Sequence, residues 1–289
     1  MPNIDLHFHS TYSDGKLPVS VIADLIKSQG LKYCALTDHD SVAGVVELKK
    51  YLTDTGIVLI PATELTALFG DCEIHLLAYG FDIGVMEKVL HERNVIVKEQ
   101  KVSEMKQSIA LFKAIGIEVG DDLVPVEKKP VGFTVASAIV ANENNQLLFM
   151  ERHGRKLNRD DIFFEYQVSG KPCAVKRSGV TVQWLLKKLD GIVKDFIIGH
   201  PFVSPSIVMK PLERKNILEL LEMGVTGLEI FHDETSVEQI EWLQRIVEEK
   251  KLNYTGGSDF HGSTGDLPLG YYNVDKEVPS FKLKEYYSQ

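Results

Sequence analysis

Two histidines, His7 and His9, stand two residues apart at the end of an apolar-alternating run, and Asp14 follows five residues after the second. Ile4, Leu6 and Phe8 alternate with Asp5 and His7, as in a buried strand, and Ser10 to Gly15 is rich in turn-forming residues. Residues i and i+2 of a strand point to the same face, so both imidazoles can reach one point. Neutral imidazole with carboxylate suits zinc, manganese or iron. Taken alone, His-x-His also describes a strand end with two solvated histidines. The rest of the chain speaks against that. Of nine histidines, His7, His9, His39, His75, His200, His232 and His261 fall at or beside the ends of strand-like runs, and only His91 and His153 lie elsewhere. Asp14, Asp38, Glu64, Glu229 and Asp259 accompany them. One tetrahedral site needs about four ligands. This set suits two or three ions with bridging groups, an arrangement that clamps a phosphoryl group and generates hydroxide at neutral pH.

The elements that must position these groups alternate between strand-like and amphipathic runs, which predicts a parallel α/β sheet or barrel. Val19–Gln29 reads as a helix with Val21, Ile22, Leu25 and Ile26 at helical spacing and Gly30 as its stop. Tyr33–Thr37 is a strand ending in Asp38-His39-Asp40, and Ser41 caps a helix with Val45, Val46, Leu48 and Leu52 on one face. Ile57–Ile60 is a third strand, running out at Glu64, and Ile74–Tyr79 a fourth, entered from Asp71. A charged helical pattern follows from about Gly84 to Ile115. Strands at 196–199, 227–231 and 253–257 end at His200, at His232 and at Ser258-Asp259-Phe260-His261. Parallel strand ends share one face of a barrel, and that face carries the active site. Residues 95–182 break the alternation and read as a mostly helical insertion capping the barrel between segments 1–94 and 183–289.

Composition narrows the function. The 289 residues suffice for one large α/β domain or a domain with an insertion. No apolar run is long enough to span a membrane, and the first residues lack a signal-peptide pattern, so a cytoplasmic protein is expected. Cys34, Cys72 and Cys173 are scattered, without the spacing of a thiolate zinc site. A net charge of −9 argues against a groove for long nucleic acid, though not against a phosphorylated substrate, since bound cations can invert the local field.

The motifs DLHFHSTYSDG, ALTDHDSVAG, PATEL, IHLLAYG, IGHPF, GLEIFH and GGSDFHG resemble those of the PHP (polymerase and histidinol phosphatase) family, over both barrel segments. The insertion resembles that of PHP phosphoesterases acting on nucleotides and short RNA. The resemblance implies a distorted (β/α)7 barrel with an inserted cap and a centre of three divalent ions. His7, His9, Glu64 and Asp259 would hold the first ion; Glu64, bridging, with His75 and His200 the second; Asp14, His39 and His261 the third. Manganese is favoured, with iron or zinc equally compatible with histidine-rich sites. Asp38 and Glu229 are expected to orient ligating imidazoles.

The chemistry this implies is in-line hydrolysis of a phosphomonoester of a small substrate, most simply a nucleotide, by a metal-bound hydroxide. Asp14, His39, His200 and His261 would serve catalysis as well as ligation. Ser10, Ser13 and Ser258 lack a G-x-S-x-G context and read as turn or supporting residues. Lys176, Arg177 and His232 are the expected substrate contacts, with His232 alternatively a solvated loop residue; Arg152, His153, Arg155 and Lys156 are further basic groups. Nucleotide-cleaving relatives often carry Arg-x-His before an apolar helix resembling Val135–Val140, where this chain has Gly132 and Thr134; the departure removes two phosphate contacts. Alternative activities are 5′-to-3′ trimming of short RNA held by its 5′ end, histidinol phosphate hydrolysis, and a non-catalytic metal-binding module.

Overall fold

The computed structural model describes residues 2–126, 129–177, 179–205, 209–273 and 275–286. Two compact units divide the chain, one of residues 1–92 with 180–289 and one of residues 93–179.

The first unit holds both main sheets. β1 (Ile4–Phe8), β2 (Tyr33–Leu36) and β3 (Val58–Leu59) are parallel, in that order. The second sheet runs β4 (Ala62–Phe69), β5 (Cys72–Tyr79), β6 (Asp195–Ile198), β7 (Gly227–Phe231) and β8 (Asn253–Gly256). Here the all-parallel expectation fails: β4 pairs antiparallel with β5, and β5 antiparallel with β6; only β6, β7 and β8 run parallel. The cause is a two-residue turn, Gly70-Asp71, with Gly70 at φ 57°, which folds one alternating run back on the other as a hairpin. Glu64 and His75 therefore lie inside strands, not at parallel strand ends. A short antiparallel pair, β9 (Tyr271–Tyr272) and β10 (Lys276–Glu277), follows.

Parallel bridges Phe8–Phe260 and His39–Glu64 join the edges of the two sheets. His9 N–H donates to Phe260 O at 2.9 Å, Asp259 N–H to His7 O at 2.8 Å, and Asp40 N–H to Glu64 O at 2.8 Å. No closed sheet is formed among the described residues.

Helix α1 (Val19–Gln29) ends at Gly30, φ 73°, as the sequence predicts. It buries Val19, Ile22, Ala23 and Ile26, leaving Val21 exposed. α2 (Ala43–Leu52) buries Val45, Leu48 and Leu52 against the same core as Phe8 and Leu36, whereas Val46 is turned outward, 43% exposed. Its N-cap is Val42, one residue after the Ser41 expected from the sequence, and it lacks a side-chain cap; Ser41 Oγ accepts from Ala43 N–H at 3.3 Å just outside the helix. α3 (Ile83–Ala114) begins in the first unit and ends in the second. The second unit adds α4 (Val131–Val140), α5 (Glu143–His153), α6 (Arg159–Ile162) and a π-helical turn at Phe163–Gln167, around a core of Phe112, Val135, Ile139 and Phe149. α7 (Val182–Lys188), α8 (Arg214–Glu222) and α9 (Val237–Lys250) belong to the first unit, and α9 opens with a Ser236/Gln239 capping box. Among the described residues no helix is long and apolar enough to cross a membrane.

Gly257 shows how tightly the β8 end is set against β1. A Cβ there would overlap the His7 Cβ and come within 2.8 Å of its Cα. Gly257→Ala must push β1 aside, and overpacking of this kind costs about 1–3 kcal/mol. The expected outcome is a thermal midpoint several degrees below wild type; an unchanged midpoint would contradict the packing described.

Candidate metal centre

The Glu64 side chain, 1% exposed, is the middle of the centre. Its Oε1 lies 2.7 Å from His75 Nδ1 and 3.2 Å from His200 Nε2. Its Oε2 lies 3.1 Å from His9 Nε2, 3.2 Å from His39 Nδ1 and 3.4 Å from His7 Nε2. Asp259 Oδ1 is 3.1 Å from His9 Nε2 and 3.3 Å from His7 Nε2. Asp14 Oδ1 is 3.3 Å from His261 Nε2, and its Oδ2 is 3.5 Å from His39 Nε2. His39 thus stands between Glu64 and Asp14. All nine ligand residues expected from the sequence fall into four overlapping groups whose donor atoms lie within 4.8 Å of one another.

Local structure explains the convergence. His7 and His9 extend from β1 with the two-residue period of a strand. Glu64 on β4 is three residues into the hairpin, and His75 opposes Thr66 on β5, so the antiparallel pair brings both to one region. His200 and Asp259 follow β6 and β8 with left-handed backbones, φ 26° and 51°, an uncommon conformation that turns each side chain off its strand axis.

The imidazoles are aimed by their outward nitrogens. His7 Nδ1–H donates to Glu229 Oε1 at 2.9 Å, and His200 backbone N–H donates to Glu229 Oε2 at 2.6 Å. One buried carboxylate on β7 therefore fixes two ligands, the orienting role the sequence suggests for Glu229. Asp38 acts one step further back. It accepts from Ser10 N–H at 2.8 Å, Ser10 Oγ at 2.7 Å and Ser13 Oγ at 2.6 Å, and Ser13 Oγ is 3.3 Å from His9 Nδ1. His261 Nδ1–H donates to Asp259 O at 2.7 Å, leaving Nε2 to face Asp14. Asp5, which sequence reasoning did not single out, is fully buried and accepts from Ser258 Oγ at 2.6 Å and from the N–H groups of Gly270, His7 and Ser258. Burial pushes its carboxyl up to about 6. The available signal was a carboxylate at an alternate position of an otherwise apolar strand.

His232 is not a solvated loop residue: it is 3% exposed. Glu234 N–H donates to its Nδ1 at 3.2 Å, so Nε2 carries the proton and faces Asp259 Oδ2 at 3.4 Å. Lys176 and Arg177 belong to the second unit, Lys176 exposed and Arg177 half-buried. In that unit Arg155 pairs with Asp161 and Glu165, Arg152 donates to Ile115 O, and His153 Nε2 is 2.8 Å from Tyr166 OH. Lys156 is exposed. At Gly132 a Cβ would lie 2.7 Å from Phe163 Cε2 and Gln167 Oε1, so α4 packs there without room for a long side chain. Thr134 hydrogen-bonds back to Pro130 O at 3.4 Å.

The donor set fits divalent cations. His7 Nε2, His9 Nε2, His39 Nδ1, Glu64 Oε2 and Asp259 Oδ1 are buried and lack hydrogen-bond partners among the described residues, although they crowd together. Orphaned buried polar atoms cost about 1–3 kcal/mol each, and a cation at their common focus removes that cost. The charge pattern agrees. Burial opposes the charged form of His7, but Glu229, Glu64 and Asp259 outweigh it and hold its pKa well above the usual histidine range. His9, His39, His200 and His261 are raised in the same way, against burial, by neighbouring carboxylates. Burial also opposes the ionised form of Glu64, yet His75, His39 and His7 hold it well below the usual carboxylate range. His75 goes the other way: burial pushes it down to about 4, so it is neutral and ready to ligate at neutral pH.

Comparison with known proteins adds a family match. The model described as the PHP domain matches residues 5–149. A 5′-3′ exoribonuclease of Haemophilus influenzae is 28% identical over 271 residues, covering 92% of both chains. A 3′,5′-nucleoside bisphosphate phosphatase of Chromobacterium violaceum is 25% identical over 284 residues, covering 93% of both. Among solved structures, a candidate metal-dependent phosphoesterase from Bifidobacterium adolescentis superposes with a TM-score of 0.62 at 21% identity, over 96% of this chain and 93% of that one; at this identity the likeness concerns the fold.

Five of the imidazoles carry raised pKa values in the metal-free protein, so they hold protons near neutrality that an incoming cation must displace. Metal affinity is therefore expected to rise with pH from 6 to 8 and fall on acidification, roughly tenfold per unit for each proton displaced. Titration calorimetry with Mn2+ in two buffers of different ionisation enthalpy reads the released protons directly. Identical apparent enthalpies in the two buffers would contradict this charge state.

Proposed function

Because the chain belongs to the PHP family, its PHP-domain match covering half of the sequence, we propose that it is a metal-dependent phosphoesterase hydrolysing the phosphomonoester of a nucleotide. The observation that carries the reading is the Glu64 carboxylate ringed by five imidazoles, of which His7, His9 and His39 turn inward nitrogens that have no hydrogen-bond partner among the described residues. His7, His9, Glu64 and Asp259 would hold one ion, Glu64 with His75 and His200 a second, and Asp14, His39 and His261 a third. Manganese is the favoured ion, with iron or zinc also suited to this donor set. When bound, such ions neutralise phosphoryl oxygens and acidify water to a nucleophile at neutral pH.

The chain's own residues have separable roles in this proposal. Glu64, buried away from bulk water, would be the carboxylate common to the first and second ions. Glu229 and the Ser13–Asp38 pair hold His7, His200 and His9 rigid, which preorganises the charge that meets the transition state. Asp14, His39 and His261, with side chains 52%, 23% and 26% exposed, and Asp259, also 26% exposed, would be the solvent-facing ligands and form the side from which a phosphate enters. His232 supports Asp259, a role favoured over a substrate contact by its burial and its engaged nitrogens. Arg177, with Lys176, is the proposed phosphate contact from the inserted unit, where an arginine fork suits phosphate. We read the two sheets, of three and five strands and bridged at Phe8–Phe260 and His39–Glu64, as the staves of a distorted barrel with one strand more than the (β/α)7 form the resemblance implies, and residues 95–182 as its inserted cap. A cytoplasmic location is proposed.

The second reading, 5′-to-3′ trimming of short RNA, is supported by the similarity to the Haemophilus influenzae exoribonuclease. Phosphate release with Mn2+ from nucleoside monophosphates, 3′,5′-bisphosphates and 5′-phosphorylated oligoribonucleotides separates the two. The proposal expects mononucleotides to be the better substrates by kcat/KM; release confined to oligoribonucleotides would favour trimming. Glu64→Gln keeps the shape and removes the bridging charge. It is expected to lower bound metal and to cut kcat/KM about 10²- to 10³-fold, a loss on the scale of removing one strong electrostatic stabiliser. Retained turnover in this variant would refute the proposed centre.

A further inference from the structure

The loop that carries His9 and Asp14 has a second face. On it, Tyr12 is 43% exposed and donates its hydroxyl to Glu47 Oε2 at 2.7 Å. Together with Ala43, Val46, Glu47, Lys50 and Tyr51 of α2 and Glu87 of α3, Tyr12 lines a cleft of about 460 Å3. The α2 positions recur at three- and four-residue spacing, so they form one stripe of that helix, opposite the stripe buried in the core. Tyr51 and Val46, 41% and 43% exposed, leave a large apolar surface uncovered there.

We propose that this cleft binds the base of the nucleotide whose phosphate lies on the metal centre, and that it favours guanine. This rests on the nucleotide phosphoesterase reading. Three features carry it. First, the cleft adjoins the centre. Tyr12 is two residues from Asp14, which limits their Cα separation to about 7 Å, and α2 starts four residues after His39. Second, Tyr12 and Tyr51 offer aromatic faces on which any base can stack. Third, the carboxylate of Glu47 carries only the Tyr12 hydroxyl; its Oε1 has no hydrogen-bond or ion-pair partner among the described residues. A carboxylate accepts from about four directions. Guanine presents two adjacent donors, N1–H and the N2 amino group, that a carboxylate can accept side by side. Adenine presents only its N6 amino group on that edge, with an acceptor at N1 that Glu47 would repel. Glu47 and Glu87 also make the cleft a poor place for a second phosphate, which directs the phosphorylated end of the substrate toward the metals.

The test compares kcat/KM for guanosine 5′-monophosphate with that for ribose 5-phosphate, which lacks the base. In Tyr51→Ala this ratio is expected to fall roughly five- to 150-fold, the range produced by losing one aromatic stacking surface, and Tyr51→Phe should restore it. Glu47→Gln should lower the ratio for guanosine 5′-monophosphate more than for adenosine 5′-monophosphate. Independently of turnover, guanosine without phosphate is titrated into isotope-labelled protein. Shifts in the Tyr12 loop and α2 that vanish in Tyr51→Ala support the cleft. A ratio in Tyr51→Ala within twofold of wild type, or guanosine shifts absent from these residues, would overturn it. If wild type hydrolyses neither ester, the phosphoesterase reading fails, and the guanosine titration still decides the cleft.

Discussion

A carboxylate shut away from water among five imidazoles is the constraint on which the rest of this molecule depends. An isolated ionised carboxylate is costly in a dry interior, and removal of water strengthens every charge interaction around it. Glu64 therefore requires positive charge at short range, and the protein can supply it in two ways. Without metal, the neighbouring carboxylates raise the proton affinity of His7, His9, His39 and His200 against burial, yet the His9 and His39 ring centroids are only 4.7 Å apart, so positive charge on both is opposed. With divalent ions, the same nitrogens turn neutral and their lone pairs gain partners. A metal-bound state would relieve both the repulsion between rings and the orphaned donor set, which is why the arrangement fits a metal centre better than a structural ion-pair network.

Holding that arrangement falls to groups outside the candidate ligand set. Glu229 ties β7 to both His7 and His200, and Asp38 ties the loop after β1 to the end of β2 through two serines. Asp5 does the same between β1, the turn after β8 and Gly270. Each is a buried carboxylate meeting several N–H or O–H donors, so each acts as a clamp between chain segments far apart in sequence. The left-handed backbones at His200 and Asp259 are sustained by these clamps and by the bridges that flank them.

Much of this was legible in the sequence, for identifiable reasons. His-x-His at a strand end follows from the two-residue period, and the helix stop at Gly30 from its missing Cβ. The nine candidate ligand positions were readable because each sits in a short motif resembling those of the PHP family, and the structure brings these side chains together. The β4–β5 hairpin was missed, although Gly70-Asp71 between two alternating runs is a two-residue turn signal; the expectation of parallel alternation overrode it. Val21 and Val46 were assigned to the core by helical spacing, yet the spacing admits adjacent stripes and the packing selects the neighbouring one. His232 could not be assigned from sequence, since its meaning lies in which nitrogen meets Glu234 and which meets Asp259. Asp5 was hidden because, the neighbouring His7 N–H apart, its partners Ser258 and Gly270 come from more than 250 residues away.

The most direct measurement is anomalous diffraction from crystals grown with Mn2+, collected at an energy where manganese scatters anomalously. The account predicts two manganese peaks within coordination distance of Glu64, one shared with His7, His9 and Asp259 and one with His75 and His200, and a third among Asp14, His39 and His261. A map with no manganese peak among these side chains, in a crystal that carries manganese elsewhere, would contradict it.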